Sequence, residues 1–157
     1  MSELATLSLA RHSDARRIAE MSRDLIEMGL AWSWTPTRVQ HYICSPESSV
    51  VIARREGRAA AFGIMHFGDE AAHLNLLAVA PEYRRQGLGR QIMDWLGATA
   101  IEAGIFRIHL ELRTHNEAAR LFYESLGFES LGVVAGYYQG REAALRMARR
   151  LGNSAKN

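Results

Sequence analysis

The chain is poor in several residue types, and each shortage excludes something. Cys44 is the only cysteine among 157 residues, so no disulfide can form within the chain and nothing in it calls for an oxidising compartment. Lysine is almost missing: of 19 basic residues only Lys156 is a lysine, and the rest are arginines. Arginine's planar fork suits phosphate and carboxylate partners, but the formal net charge is only +2 and the arginines are scattered. A nucleic-acid surface would gather them into a stripe. The densest group, Arg146, Arg149 and Arg150, reads as a solvated end. Only three prolines occur, Pro36, Pro46 and Pro81, and no Pro/Gly/Ser-rich stretch marks a linker. Residues 1–152 are therefore expected to form one domain, with 153–157 as a flexible tail. No apolar run approaches the ~18 residues of a membrane span. The first residues, with Glu3 among them, show no secretion signal. A cytoplasmic protein without membrane contact is the expectation. Six histidines and one cysteine fall at no metal-ligand spacing, so no metal is expected.

What is present is a regular succession of periodic segments. Residues 4–9 alternate as a first strand. Ser13-Asp14 can cap a helix running to about Met28, with Ile18, Met21, Leu25 and Met28 at helical spacing. Residues 29–35 form a loop carrying Trp32 and Trp34, either a substrate-binding pair or loop anchors. Pro36 fits the first turn of a short helix through Ile43. Strands at 50–54, 59–67 and 72–79 form a meander. A helix from about Gly87 to Ala103 places Leu88, Ile92, Leu96 and Ala100 on one stripe. A strand at 106–113, a helix opened by Asn116 and stopped by Gly127, and strands at 128–135 and 143–148 complete the order, with Tyr137 and Tyr138 in the loop between the last two. This order predicts an α/β (α+β) fold whose central sheet is mixed and largely antiparallel, with about seven strands flanked by about four helices.

Chemistry concentrates in residues 77–90, where a strand enters a glycine-bearing turn that opens a helix: Leu77-Ala78-Val79, then Arg84-Arg85-Gln86-Gly87-Leu88-Gly89-Arg90. Free N–H groups and the helix dipole make such a start an anion site, and the arginines add charge beside it. No Gly-Lys-Ser/Thr is present, which excludes a P-loop, and the third glycine of a dinucleotide fingerprint is missing. The strand at 107–113 alternates Ile108, Leu110 and Leu112 with Arg107, His109, Glu111 and Arg113, so Glu111 stands on a polar face. Pattern alone leaves Glu111 as a cleft carboxylate or as a surface partner of Arg107 or Arg113. Tyr123 is likewise open between a chemical role and packing beside Phe122. His73 and Asn75 share a strand face that could line a cleft, His73 being a second candidate base.

On these residues the chain resembles the GNAT superfamily of N-acetyltransferases. The family's cofactor signature, Gln/Arg-x-x-Gly-x-Gly/Ala after a strand, is similar to residues 84–89, and a second block spans residues 116–128. Within the superfamily the run 110–113 and the tail 137–143 look like the bacterial ribosomal-protein alanine N-acetyltransferase group, whereas the loop 29–35 departs from it. The resemblance implies a GNAT-type fold and transfer of an acetyl group from acetyl-CoA to a primary amine in a ternary complex. The acceptor it implies is a protein or peptide N-terminus; a small amine such as an amino acid or polyamine, or a non-catalytic acyl-CoA-binding module, are the alternatives. It further implies that Glu111 is the general base and that Tyr123 protonates the departing thiolate. Leu77, Ala78 and Val79 would offer main-chain groups to the pantetheine arm, Asn116 an amide to it, and residues 84–90 the pyrophosphate site. Trp32, Trp34, His73, Asn75, Tyr137 and Tyr138 are the candidates for the acceptor side. Monomer and homodimer both remain open.

Overall fold

The computed structural model describes residues 4–152, so the tail expected at 153–157 lies outside the described residues. Its elements are β1 (Thr6–Leu9), α1 (Ala15–Leu25), α2 (Pro36–Cys44), β2 (Ser48–Arg55), β3 (Arg58–Phe67), β4 (Ala71–Val79), α3 (Leu88–Glu102), β5 (Arg107–Arg113), α4 (Glu117–Ser125), β6 (Glu129–Tyr138) and β7 (Glu142–Arg150). One-turn 3-10 segments precede α1 at His12–Asp14 and α3 at Pro81–Tyr83. The seven strands form one sheet in the order β1-β2-β3-β4-β5-β7-β6. Every pairing is antiparallel except β4 with β5. The expected mixed, mostly antiparallel sheet with four helices is what the chain forms.

Two apolar clusters sit on opposite faces of the sheet. On one face α3 and α4 cover Val51, Ala61, Met65, Ile108, Leu110 and Met147. On the other α1 and α2 cover Val50, Ile52, Phe62 and Ile64. Helix ends follow local chemistry. Thr35 accepts from the Arg38 amide to start α2, with Pro36 in its first turn. Gly104, at φ +83°, closes α3: its amide reaches Ile101 and that of Ile105 reaches Ala100.

Two boundaries differ most from the sequence expectation. Helix α1 stops at Leu25 rather than near Met28, because the Glu27 amide turns back to the Ser22 carbonyl and its carboxylate serves the following loop. Tyr137 and Tyr138 belong to β6, not to a loop. Positive φ at Gln139 (57°) and Gly140 (71°) confines the turn to the residues just after them.

Strand β4 is where the fold becomes useful. Ile64 pairs with Leu76 but Met65 pairs with Leu74, so Asn75 is an extra residue, a β-bulge. The bulge switches faces: Ala72 and Leu74 point to the α3/α4 cluster, whereas Leu76 and Ala78 point to the α1/α2 cluster. Pairing with β5 ends at the same place, running only from Ala71↔Arg107 to His73↔His109. Beyond it β4 stays on β3 as far as Val79 and β5 stays on β7 as far as Arg113. A wedge therefore opens between two strands that are neighbours at their other ends. No helix among the described residues is long and apolar enough to cross a membrane.

Candidate active site

The wedge is the mouth of a cleft of about 940 Å³. One wall is β4 from Leu74 to Val79, continued by Arg84, Arg85 and the start of α3. The other is Leu110–Arg113 of β5 with Asn116 and Tyr123. Along this stretch the second edge of β4 has no strand partner, so alternate main-chain groups face the cleft. One of them is committed already: the Val79 carbonyl accepts from Arg84 Nε at 3.0 Å.

The far end of the wall is the N-terminus of α3. Gly87, at φ +80°, makes the left-handed step into the helix. The first intrahelical bond across this start runs from Gln91 N–H to the Gly87 carbonyl, so the amides of Leu88, Gly89 and Arg90 have no acceptor within α3. A fifteen-residue helix aimed at a cleft in this way favours an anion. Arg84, Arg85 and Arg90 line the same end. Gly89 serves packing: a Cβ there would stand 3.1 Å from the Phe122 ring, so the glycine lets α3 close on α4. Gln86 is not part of the lining; its amide contacts the Arg55 guanidinium. Three freed amides, three guanidiniums and an unpaired strand edge fit an extended molecule with a diphosphate at one end and a hydrogen-bonding arm.

Opposite this wall Glu111 is held by side chains from three other strands. Oε1 takes a bond from His73 Nε2 at 2.5 Å and from Tyr137 Oη at 3.1 Å, and Oε2 takes one from Arg146 Nε at 2.9 Å. The side chain is 8% exposed. Burial alone pulls its pKa upward; the bonds and charge of His73, then Arg146 and Tyr137, outweigh burial and hold it at about 2. Neither arginine weighed as a surface partner binds it. Arg113 instead forms a two-pronged pair with Glu142 at 2.7 and 2.6 Å and donates to the Ile26 carbonyl. The partner is Arg146, which the sequence pattern assigned to a solvated end; its place on β7 directly across from Glu111 was the available signal.

Tyr123 lies in α4 with 8% of its surface exposed, edge-on to Phe122 and Phe128 at centroid distances of 5.1 and 5.5 Å. It also lines the cleft, so packing and access coexist. Burial pushes its phenol above the usual range, so it keeps its proton at neutral pH. Asn116 caps α4 by accepting from the Ala119 amide at 3.1 Å, while remaining part of the lining. Tyr138 lines the cleft as well; burial, then Tyr137 and Glu111, raise its pKa.

The two tryptophans anchor their loop rather than line the cleft. Trp32 donates to the Ala19 carbonyl at 3.1 Å, and the Arg38 guanidinium stacks 3.9 Å from the Trp34 ring. Nearby, the buried Glu27 accepts from Ser22 Oγ at 2.6 Å, from the Ser33 amide at 2.7 Å and from Ser33 Oγ at 3.0 Å. Gln139, in the turn after β6, clasps Ala31 through both amide atoms, at 3.1 and 2.9 Å. Periodicity cannot reveal Glu27 or Gln139, because both act on loop main chain. Among the described residues no group of three His, Cys, Asp or Glu side chains is placed to hold a metal ion.

Comparison with known proteins places this geometry. Residues 46–130 match the model of the acetyltransferase (GNAT) domain. The chain is 40% identical over 97 residues to the [ribosomal protein bS18]-alanine N-acetyltransferase of Escherichia coli K12, an alignment covering 60% of this chain and 66% of that protein. It is 30% identical over 141 residues to the N-alpha-acetyltransferase RimI of Mycobacterium tuberculosis, covering 87% and 86%. The crystal structure of the ribosomal-protein-S18-alanine N-acetyltransferase from Escherichia coli superposes with a TM-score of 0.81 over 98% of both chains, at 29% identity.

Proposed function

Because the chain belongs to the GNAT acetyltransferase family, we propose that residues 1–152 act as one N-acetyltransferase domain that moves an acetyl group from acetyl-CoA to the α-amine of a protein N-terminus. The acceptor class is the one named for the Escherichia coli and Mycobacterium tuberculosis relatives. The observation that carries the proposal is the wedge between β4 and β5, which joins a helix N-terminus to a carboxylate on one wall and a protonated phenol beside it.

Bound acetyl-CoA supplies the activated thioester. The amides opening α3, with Arg84, Arg85 and Arg90, hold the diphosphate. The free edge of β4 at Leu77–Val79 and the Asn116 amide align the pantetheine arm and polarise the carbonyl under attack. Glu111 draws the proton from the incoming ammonium, directly or through water, so that the nitrogen lone pair becomes free. The amine adds to the carbonyl carbon, the C–S bond breaks, and Tyr123 offers its hydroxyl proton to the sulfur.

Calorimetry with coenzyme A and acetyl-CoA tests the first half, and mass analysis of alanine-initiated peptides after incubation with acetyl-CoA tests the second. Absence of heat with either ligand removes the proposal. Acetylation of polyamines or free amino acids in preference to peptides keeps the chemistry and replaces the acceptor.

A further inference from the structure

We propose that His73 is the second half of the base: the proton released by the amine passes through Glu111 and comes to rest on the His73 imidazole, which discharges it to solvent through a groove of its own. The inference rests on the acetyltransferase reading above.

Proton balance creates the need. An amine arriving as ammonium gives up two protons in becoming an amide, and the departing thiolate takes back only one. One proton per turnover must leave the site. Glu111 is a poor place for it to stay, since its carboxylate already accepts from His73, Tyr137 and Arg146. Its depressed pKa agrees with that crowding.

The geometry supplies a destination. His73 Nε2 stands 2.5 Å from Glu111 Oε1, and the side chain is 35% exposed. On its other side the ring nitrogen Nδ1 lies 3.1 Å from Asn75 Nδ2. The Asn75 carbonyl oxygen is buried and has no hydrogen-bond partner. With the amide as it stands, the ring carries its proton on Nε2. When the exposed ring gives its Nε2 proton to solvent and takes one up on Nδ1, a half-turn of the amide puts the orphaned oxygen where Nδ2 now is, and it then accepts from Nδ1–H. The ring can thus enter the step with Nε2 open toward Glu111. On receiving the proton there it becomes an imidazolium with an acceptor at each end, the Glu111 carboxylate and the Asn75 carbonyl. Asn75 is the bulge residue of β4, so the distortion that opens the wedge also delivers this amide.

The exit is separate from the cleft. A smaller groove, lined by His66, His73, His109, Glu111 and Arg146, reaches the pair from the open side of the sheet. His66 pairs with His73 across β3 and β4, and His73 with His109 across β4 and β5, so three imidazoles stand in one row. The groups around His73 are therefore His66 on β3, Asn75 on β4, His109 and Glu111 on β5, Tyr137 on β6 and Arg146 on β7. Burial, then the charge of Arg107, hold the His109 pKa below its usual range, which leaves that ring neutral and able to accept.

The test compares His73→Gln, Asn75→Ala and the wild-type chain, with acetyl-CoA affinity by calorimetry as the check on folding. His73→Gln should keep that affinity and lose about 100-fold in kcat on a peptide acceptor. The limb of the pH–rate profile that rises with pH should lose its dependence, and added imidazole should restore rate in a saturable way. A purely structural histidine gives neither the altered profile nor the rescue. Asn75→Ala should show a smaller loss in kcat with KM unchanged. Ring-nitrogen NMR of the resting protein should show His73 protonated on Nε2. If His73→Gln turns over like the wild type with the same pH profile, or loses rate without rescue, the relay is wrong while the acetyltransferase reading stands. If the wild-type chain binds no acetyl-CoA, both fall together.

Discussion

The two walls of the cleft are made of different material. The β4–α3 wall is main chain: one continuous stretch, residues 74–90, supplies a free strand edge, a turn and a helix N-terminus. The β5 wall turns on side chains: Glu111 lines the cleft, and His73, Tyr137 and Arg146 from three other strands hold it from behind, meeting only because the register brings them together. A main-chain wall depends on backbone conformation and tolerates most side chains. A side-chain wall depends on the identity of each residue and on distant pairing. Binding should therefore fail through conformation on one side, and turnover through chemistry on the other.

The sharpest test of that division is Glu111→Gln. Turnover should fall by ~10²–10³-fold, with acetyl-CoA affinity unchanged by calorimetry. An equal loss of affinity would mean the walls are not separable. Tyr123→Phe should lower kcat about tenfold without altering the melting temperature much, since the ring keeps its contacts with Phe122 and Phe128. Wild-type turnover would leave Tyr123 as packing alone.

Gly89→Val attacks the other wall. Its Cβ would stand 3.1 Å from the Phe122 ring, so that ring or the start of α3 must give way to the added methyls, at about 1–3 kcal/mol in stability. Acetyl-CoA affinity should drop roughly tenfold with the displaced amides, a loss of ~1.4 kcal/mol, read by calorimetry beside thermal melting. Unchanged affinity would show that those amides do not grip the ligand.

The same division explains what was legible in the sequence. The main-chain wall is local, so glycines 87 and 89 and the arginines around them announced it. The element order followed from periodicity, and the sheet with it. Glu111 was legible because strand alternation put it on a polar face. Its partners were not, because they depend on which strands pair. Arg146 looked like part of a basic end until β7 was found beside β5. Tyr137 stood with Tyr138 in the loop expected between the last two strands, whereas β6 runs on through both. The pattern left Trp32 and Trp34 open between a binding pair and loop anchors, and only the tertiary contacts, a carbonyl and a guanidinium, show what holds them. The resemblance implies freed main-chain groups at Leu77–Val79, and the β-bulge itself falls just ahead of them, at Asn75.

A last expected effect concerns stability rather than rate, and it probes the side-chain wall without substrate. Glu111 titrates at about 2 in the folded chain against an ordinary 4.5. The folded state thus binds fewer protons than the unfolded state across that window, and stability rises with pH there. The contribution is complete above about pH 4.5 and is lost as pH falls toward 2. Glu111→Gln cannot titrate, so the stability gap between wild type and variant should be widest near neutrality and should close on acidification. Urea midpoints of both proteins at several pH values between neutrality and the acid limb measure the gap directly. A gap that stays constant would mean that His73, Tyr137 and Arg146 do not hold the carboxylate in solution, and the side-chain wall would lose its anchor.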